Sequence, residues 1–312
     1  MSKLKNKHLI GLEHTPADDI QLLIDTGFTF REVLDRPIKK VPSLIGKNIV
    51  NLFFENSTRT RISFELAEKR LSAEVTNFSS SSSSVNKGEG LKDTIQNIHA
   101  MKMDCVVMRH PSPGACLQLS KYVDSVIINA GDGMHEHPTQ ALLDMMSLQE
   151  RFGKLRGLKI AILGDISHSR VALSNIFGLK KMGAKVLLCG PPHLIPRDIE
   201  KLGVEINSDI DEVIEWADAI NVLRIQRERM GVGIIPSIRE YRNHFGITQE
   251  RLSRHKKEII IMHPGPMNRG VEIDSSIADG KQAIILDQVL NGVAVRMSIL
   301  YLLLGPEEEV NA

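Results

Sequence analysis

The chain has 312 residues, 42% hydrophobic and 25% charged, which suits about two globular domains and excludes wholesale disorder or a fibrous repeat. Lysine and arginine number 39 against 38 acidic residues, so the net charge of +1 gives no general attraction to nucleic acid, though a local basic pocket stays open. No apolar run approaches the roughly 20 residues of a membrane span, no apolar stretch follows Lys3, Lys5 and Lys7 as a secretory signal requires, and three cysteines without CxxC spacing read as core thiols. A reducing, cytoplasmic location is expected.

Residues 47–54 form a short apolar run and predict a buried strand. A helix is expected over 58–72, with Ile62, Leu66 and Leu71 at near-helical spacing. Strands follow at 105–108 and 125–129, and a helix at 144–152 after the turn at His137 and Pro138. The second block reads as strand 159–163, helix 171–182, strand 185–189, helix 209–217 and strands 219–223 and 258–262. Residues 291–304 are helical in pattern and too apolar to stand free, so they are expected to pack back on a domain, the first one being favoured.

This alternation predicts an α/β protein of two doubly wound parallel-sheet domains, with the change between residues 133 and 158. Ligands in such sheets sit beyond the carboxyl ends of strands, so the informative loops begin at Glu55, Arg109, Ala130, Gly164, Arg224 and His263. Serines at 79–84 read as a flexible surface loop, and Lys87 near its end suits closing over an anion.

The richest loop is Glu55-Asn56-Ser57-Thr58-Arg59-Thr60-Arg61, where a strand gives way to a helix. Free amides and the helix dipole attract anions there, and hydroxyls and a guanidinium fork fit phosphate oxygens. A capping serine with solvated arginines would show the same residues. Walker spacing is absent, which argues against a nucleotide loop. Arg109 could be a second cation for the same anion, or a surface ion-pair residue. His135 and His137 lack a third ligand by spacing, so no metal is expected; a neutral His137 donating to a substrate oxygen is preferred. Arg170, Arg224, Arg227 and Arg229 add further cations at strand ends, and together these loops favour a ligand with several negative charges.

The segment Ser57-Thr58-Arg59-Thr60-Arg61 resembles the carbamoyl-phosphate signature of the aspartate and ornithine carbamoyltransferases. The resemblance continues in family order through Lys87-Gly88-Glu89, Arg109-His110-Pro111, His137-Pro138-Thr139-Gln140, Arg224-Ile225-Gln226 and His263-Pro264-Gly265-Pro266, spanning nearly the whole chain. It implies the carbamoyltransferase fold, two α/β domains joined by helices: 1–140 with 291–312 for carbamoyl phosphate, and 141–290 for the amino acid. It implies carbamoyl transfer to the α-amino group of L-aspartate, an early step of pyrimidine synthesis, with no cofactor. The ornithine-type Asp-x-x-x-Ser-Met-Gly and His-Cys-Leu-Pro segments are absent, and arginines would repel ornithine's ammonium. Another acceptor such as ornithine is the alternative. A non-catalytic binding protein would need lost catalytic groups, and none is lost.

By resemblance, Ser57, Thr58, Arg59 and Thr60 hold the phosphate end, and Thr60, Arg109 and His137 stabilise the oxyanion. Gln140 and the carbonyls of Pro264 and Gly265, before Pro266, orient the amine, while Arg170, Arg224 and Gln226 bind the acceptor carboxylates. Ser83 and Lys87 are implied to come from a neighbouring chain of a homotrimer, Ser83 to bind carbamoyl phosphate and Lys87 to act in catalysis and to bind both substrates. Glu55 is implied to bridge to Arg170 and Arg229, or else to neutralise nearby arginines. A regulatory chain or another pathway enzyme is a possible partner, with no nucleic acid or membrane. One departure is Gly265 where some members carry leucine, which keeps a carbonyl but alters loop stiffness.

Overall fold

The computed structural model describes residues 4–79, 90–226 and 237–305. Contacts divide the chain into two compact units, one of 1–146 with 290–312 and one of 147–289. The first contains α1 (Ala17–Asp35), β1 (Asn48–Phe53), α2 (Thr58–Arg70), β2 (Glu74–Ser79), α3 (Leu91–Ala100), β3 (Cys105–His110), α4 (Ala115–Leu119), β4 (Val126–Asp132) and the start of α5 (Pro138–Phe152). Its strands pair in parallel in the order β2-β1-β3-β4. Val50, Leu52, Val106, Met108 and Ile127 fill the core against α3 and α4. Such strands are buried on both faces, which is why they read as continuous apolar runs rather than alternating ones.

The second unit contains β5 (Lys159–Leu163), α6 (Arg170–Lys181), β6 (Lys185–Cys189), β7 (Glu205–Ile206), α7 (Ile210–Trp216), β8 (Ala219–Val222), α8 (Ile238–Phe245), α9 (Gln249–Ser253), β9 (Ile260–Met262) and α10 (Ser275–Ala278). Its sheet is also parallel, in the order β7-β6-β5-β8-β9. Ala161, Leu163, Ile220, Val222 and Ile261 pack with Val213 and Ile214 of α7. Asp209 caps α7 by accepting from the amides of Asp211 and Glu212. The last helix, α11 (Ile285–Leu304), begins in this unit and continues into the first.

Several expectations need correction. The sequence reading passed over α1, β2, α3, α8 and α9. In α2 the face is different: Phe64, Ala67 and Glu68 are buried, while Ile62 and Leu66 are exposed. Helix α5 begins at Pro138, six residues before the predicted start at 144, because proline suits the first helical turn. Helix α11 is long and apolar enough to cross a membrane by length and composition, contrary to the absence expected from sequence, but 67% of that window is buried inside the protein, as in a core helix. All three cysteines are free and buried, the core thiols that were expected.

Candidate functional site

Each sheet reverses its strand order at one place, and in open parallel sheets ligands bind beyond the carboxyl ends of the strands there. In the first unit the reversal lies between β1 and β3, because β2 flanks β1 on one side and β3 on the other. The register sets Phe53 opposite Arg109, and the Phe54 amide donates to the Arg109 carbonyl at 2.9 Å. The β1–α2 loop and Arg109 therefore leave the sheet side by side. The register between β3 and β4 shifts between Met108 and His110, an irregularity of the kind that re-aims the side chain it contains.

Ser57 occupies the N-cap of α2 in extended backbone, yet its hydroxyl makes no cap hydrogen bond. Thr58 and Arg59 are exposed on the first turn, and Thr60 is buried. Arg109 Nη1 donates to the Ala130 carbonyl at 3.3 Å, and Nε lies 3.5 Å from the Glu55 carboxylate. Glu55 thus neutralises an arginine within its own unit; Arg229, one of its implied partners, lies outside the described residues.

His137 is 4% exposed, and its Nδ1 lies 3.4 Å from Thr139 Oγ1. One turn on, Gln140 Nε2 donates to Asp144 Oδ1 at 2.9 Å. The approach to His137 is tied down by Asp132, which accepts from the amides of Gly114 at 2.7 Å and Glu136 at 3.0 Å, from Asn129 Nδ2 and from His135 Nδ1. Burial opposes the Asp132 charge, but these hydrogen bonds outweigh it and hold the carboxyl below its usual range. The same partner raises His135.

Folding brings Glu13 to His135 and Glu136, a grouping of three that sequence spacing did not offer. The Glu136 oxygens, however, accept from the Leu12 and Glu13 amides at 2.7 and 3.1 Å, which fastens the N-terminal segment. These groups are engaged in structure.

In the second unit the reversal falls between β5 and β8. Gly164 ends β5 at φ +125°, and a Cβ there would meet the Leu223 carbonyl at 2.8 Å, so glycine lets the two strand ends approach. Arg170, 5% exposed, opens α6, and Arg224 is half-buried just past β8. Gln226 Nε2 donates to the His168 carbonyl at 2.9 Å, and its amide approaches Asp165 Oδ2 at 3.4 Å. His168 Nδ1 lies 2.8 Å from Asp165 Oδ1, so one buried carboxylate ties both loops together.

After β9, His263 Nδ1 accepts from the Gly265 amide at 2.8 Å and Nε2 lies 3.4 Å from Glu272. That network assigns the ring proton to Nε2. Gly265, between half-buried Pro264 and exposed Pro266, has φ +60°, where a leucine would be strained.

The fold thus collects Ser57, Thr58, Arg59, Thr60, Arg109, His137 and Gln140 in one unit and Arg170, Arg224, Gln226 and 264–266 in the other. Ser83 and Lys87 lie outside the described residues. The sequence reading missed Asp165, His168, Glu272 and Arg296. An acid directly after a strand-end glycine, and a lone arginine in an otherwise apolar helix, were the available signals for Asp165 and Arg296.

A family model described as "Aspartate/ornithine carbamoyltransferase, carbamoyl-P binding domain" matches residues 7–150, and its partner, "Asp/Orn binding domain", matches 156–303. The aspartate carbamoyltransferase catalytic subunit of Christiangramia forsetii is 61% identical over 302 residues, covering 97% of each chain. That of Gemmatimonas aurantiaca is 57% identical over 97% of this chain and 95% of its own. Among solved structures, Trypanosoma cruzi aspartate transcarbamoylase with N-(phosphonacetyl)-L-aspartic acid superposes with TM-score 0.87 at 32% identity, covering 97% of each chain. The catalytic subunit of M. jannaschii aspartate transcarbamoylase gives 0.82 at 37% identity, covering 96% of this chain and 98% of its own. Two parallel-sheet units with this agreement over nearly their whole length leave one assignment: the chain belongs to the aspartate/ornithine carbamoyltransferase family.

Proposed function

We propose that this chain transfers the carbamoyl group of carbamoyl phosphate to the α-amino group of L-aspartate, giving N-carbamoyl-L-aspartate and phosphate. The observation that carries it is one set of anion-binding groups at the strand-order reversal of each unit: hydroxyls, a helix N-terminus and Arg109 in the first, Arg170 and Arg224 in the second. A phosphorylated donor and a dicarboxylate acceptor carry the charges such groups bind. The relatives' names and the complexes of the Trypanosoma cruzi enzyme with carbamoyl phosphate and aspartate support the same reading.

The acceptor amine attacks the carbonyl carbon, and negative charge grows on the carbonyl oxygen. Thr60, Arg109 and His137 Nε2–H donate to that oxygen, each such donor being worth roughly 3 kcal/mol in the transition state. Ser57, Thr58, Arg59 and the amides opening α2 hold the phosphate. Gln140 and the carbonyls of Pro264 and Gly265, with Pro266 shaping the loop, orient the amines. Arg170, Arg224 and Gln226 bind the two carboxylates. The departing phosphate takes the amine proton, so no protein base is needed.

The active form is a cytoplasmic homotrimer in which Ser83 and Lys87 of a neighbouring chain complete each site, and the product feeds pyrimidine synthesis. A regulatory chain or another pyrimidine enzyme is a further partner of that trimer. Incubation with carbamoyl phosphate and either L-aspartate or L-ornithine tests the reaction. Carbamoylated aspartate alone is expected; carbamoylated ornithine would show that the Arg224 loop has been misread, and no product from either would reject the reaction.

A further inference from the structure

Arg296 lies midway along α11 and is 3% exposed. A buried guanidinium is tolerated only when it is paired and hydrogen-bonded. Its plane lies 5.1 Å over the Phe64 ring; Nη1 donates to Ser63 Oγ at 3.0 Å and to the Gly292 carbonyl at 2.8 Å, and Nη2 donates to Thr139 Oγ1 at 3.3 Å. Burial lowers its pKa to about 10 while Asp144 pulls it upward, so it stays a cation at neutral pH.

Two helix starts meet at this one group. Ser63 lies one turn beyond Thr60 on α2, and Thr139 lies between His137 and Gln140 at the start of α5. One of these directions follows from chemistry. Guanidinium has donors only, so Thr139 Oγ1 must accept from it. Thr139 keeps its own O–H to give, and His137 Nδ1 lies within reach of it at 3.4 Å. An Nδ1 that accepts leaves the proton of the neutral ring on Nε2.

We propose that Arg296, acting through Thr139, is a positioning residue that holds His137 in its Nε2–H tautomer, and that its bond to Ser63 keeps the first turns of α2 and α5 in register. This rests on the carbamoyl-transfer reading, in which His137 donates to the carbonyl oxygen of the carbamoyl group. The wrong tautomer would turn a lone pair toward that oxygen as its negative charge grows.

Thr139→Val removes the relaying hydroxyl with little change of shape, and Thr139→Ser keeps it. Nitrogen-15 spectra of histidine-labelled protein without substrate read the tautomer directly, with His137→Asn identifying the resonance. The wild type and Thr139→Ser are expected to show Nε2–H. Thr139→Val and Arg296→Met are expected to show both tautomers, with kcat lowered about 10²-fold, the size of one lost oxyanion donor. The KM for aspartate should hold steady, because the lost interaction belongs to the transition state. Should Arg296→Met fail to fold, the two Thr139 variants decide. Nε2–H retained in Thr139→Val, or Nδ1–H in the wild type, would overturn the relay. Because the tautomer is read on the free protein, a wild-type chain that carbamoylates nothing would overturn only the functional reading.

Discussion

A cation that meets a developing oxyanion contributes most when it is already held in place before the charge appears. Arg109 meets that condition with its fork: Nη1 is anchored on the Ala130 carbonyl while Nε faces Glu55. Lysine has the charge but not the geometry, and cannot serve both anchors and a substrate from one nitrogen. Arg109→Lys is therefore expected to lower kcat/KM by roughly 10²- to 10³-fold, with unfolding by urea little changed. Activity within threefold of wild type would remove Arg109 from the proposed oxyanion site, and steady-state kinetics at saturating aspartate decides. Arg109 was legible because an arginine directly after an apolar run sits at a strand end, where parallel sheets bind ligands, and the family motif decided between that use and a surface ion pair. Arg296 and Asp165 were not, because their roles depend on groups from distant elements. Thr139 is far from Arg296 in sequence, and no local spacing joins them.

At the scale of elements, α2 leans on β1 through a polar contact inside an otherwise apolar interface. Asn51 Nδ2 on β1 donates to Glu68 Oε2 on α2 at 2.9 Å and to Asn77 Oδ1 on β2 at 3.1 Å. Glu68 Oε1 and Asn51 Oδ1 are both buried and have no hydrogen-bond partner among the described residues. Two such acceptors favour a proton on the acid. Burial raises Glu68 from 4.5 to about 7; the Asn51 hydrogen bond and Lys69 oppose the rise, Glu65 adds to it, and Cys105 of β3 lies within its field. Between those two values the folded chain holds a proton that the unfolded chain has lost. The stabilisation is thus complete below about pH 4.5, falls as pH rises, and is gone above about pH 7, a span of about 3 kcal/mol. Glu68→Gln should flatten that slope in urea titrations between pH 4.5 and about 7. An unchanged slope would place the proton elsewhere. This helix also shows why a spacing rule can find an element and misplace its face. Ile62 and Leu66 fit the same period as Phe64 and Ala67, and the sheet selected the second set. Strand β2 escaped notice for a related reason: it lies at the edge of the sheet, and Glu74 and Thr76 are exposed along it. The central strands, buried on both faces, announced themselves as apolar runs.

At the scale of the whole molecule, each unit carries anion-binding groups at its own sheet reversal, and the proposed trimer adds Ser83 and Lys87 from a neighbour to each site. Shared sites have a consequence that independent sites lack. An Arg59→Ala chain and a Lys87→Ala chain would each be nearly inactive as pure trimers, because every site contains the lesion. Reassembled together, some sites would draw Arg59 from the Lys87→Ala chain and Lys87 from the Arg59→Ala chain, and so be whole. Random mixing in a closed threefold ring makes about one site in four of this kind. The mixture, unfolded and refolded together at equal amounts, is therefore expected to recover about a quarter of wild-type activity, while either chain treated alone recovers none. Wild-type protein taken through the same treatment sets the scale. No recovery from the mixture, with the wild type fully recovered, would mean that each chain closes its own site, and the neighbour's role of Ser83 and Lys87 would have to be abandoned. Recovery of a quarter would establish the shared site without any structure of the assembly, because chains that each close their own site keep one lesion in every site however they are mixed.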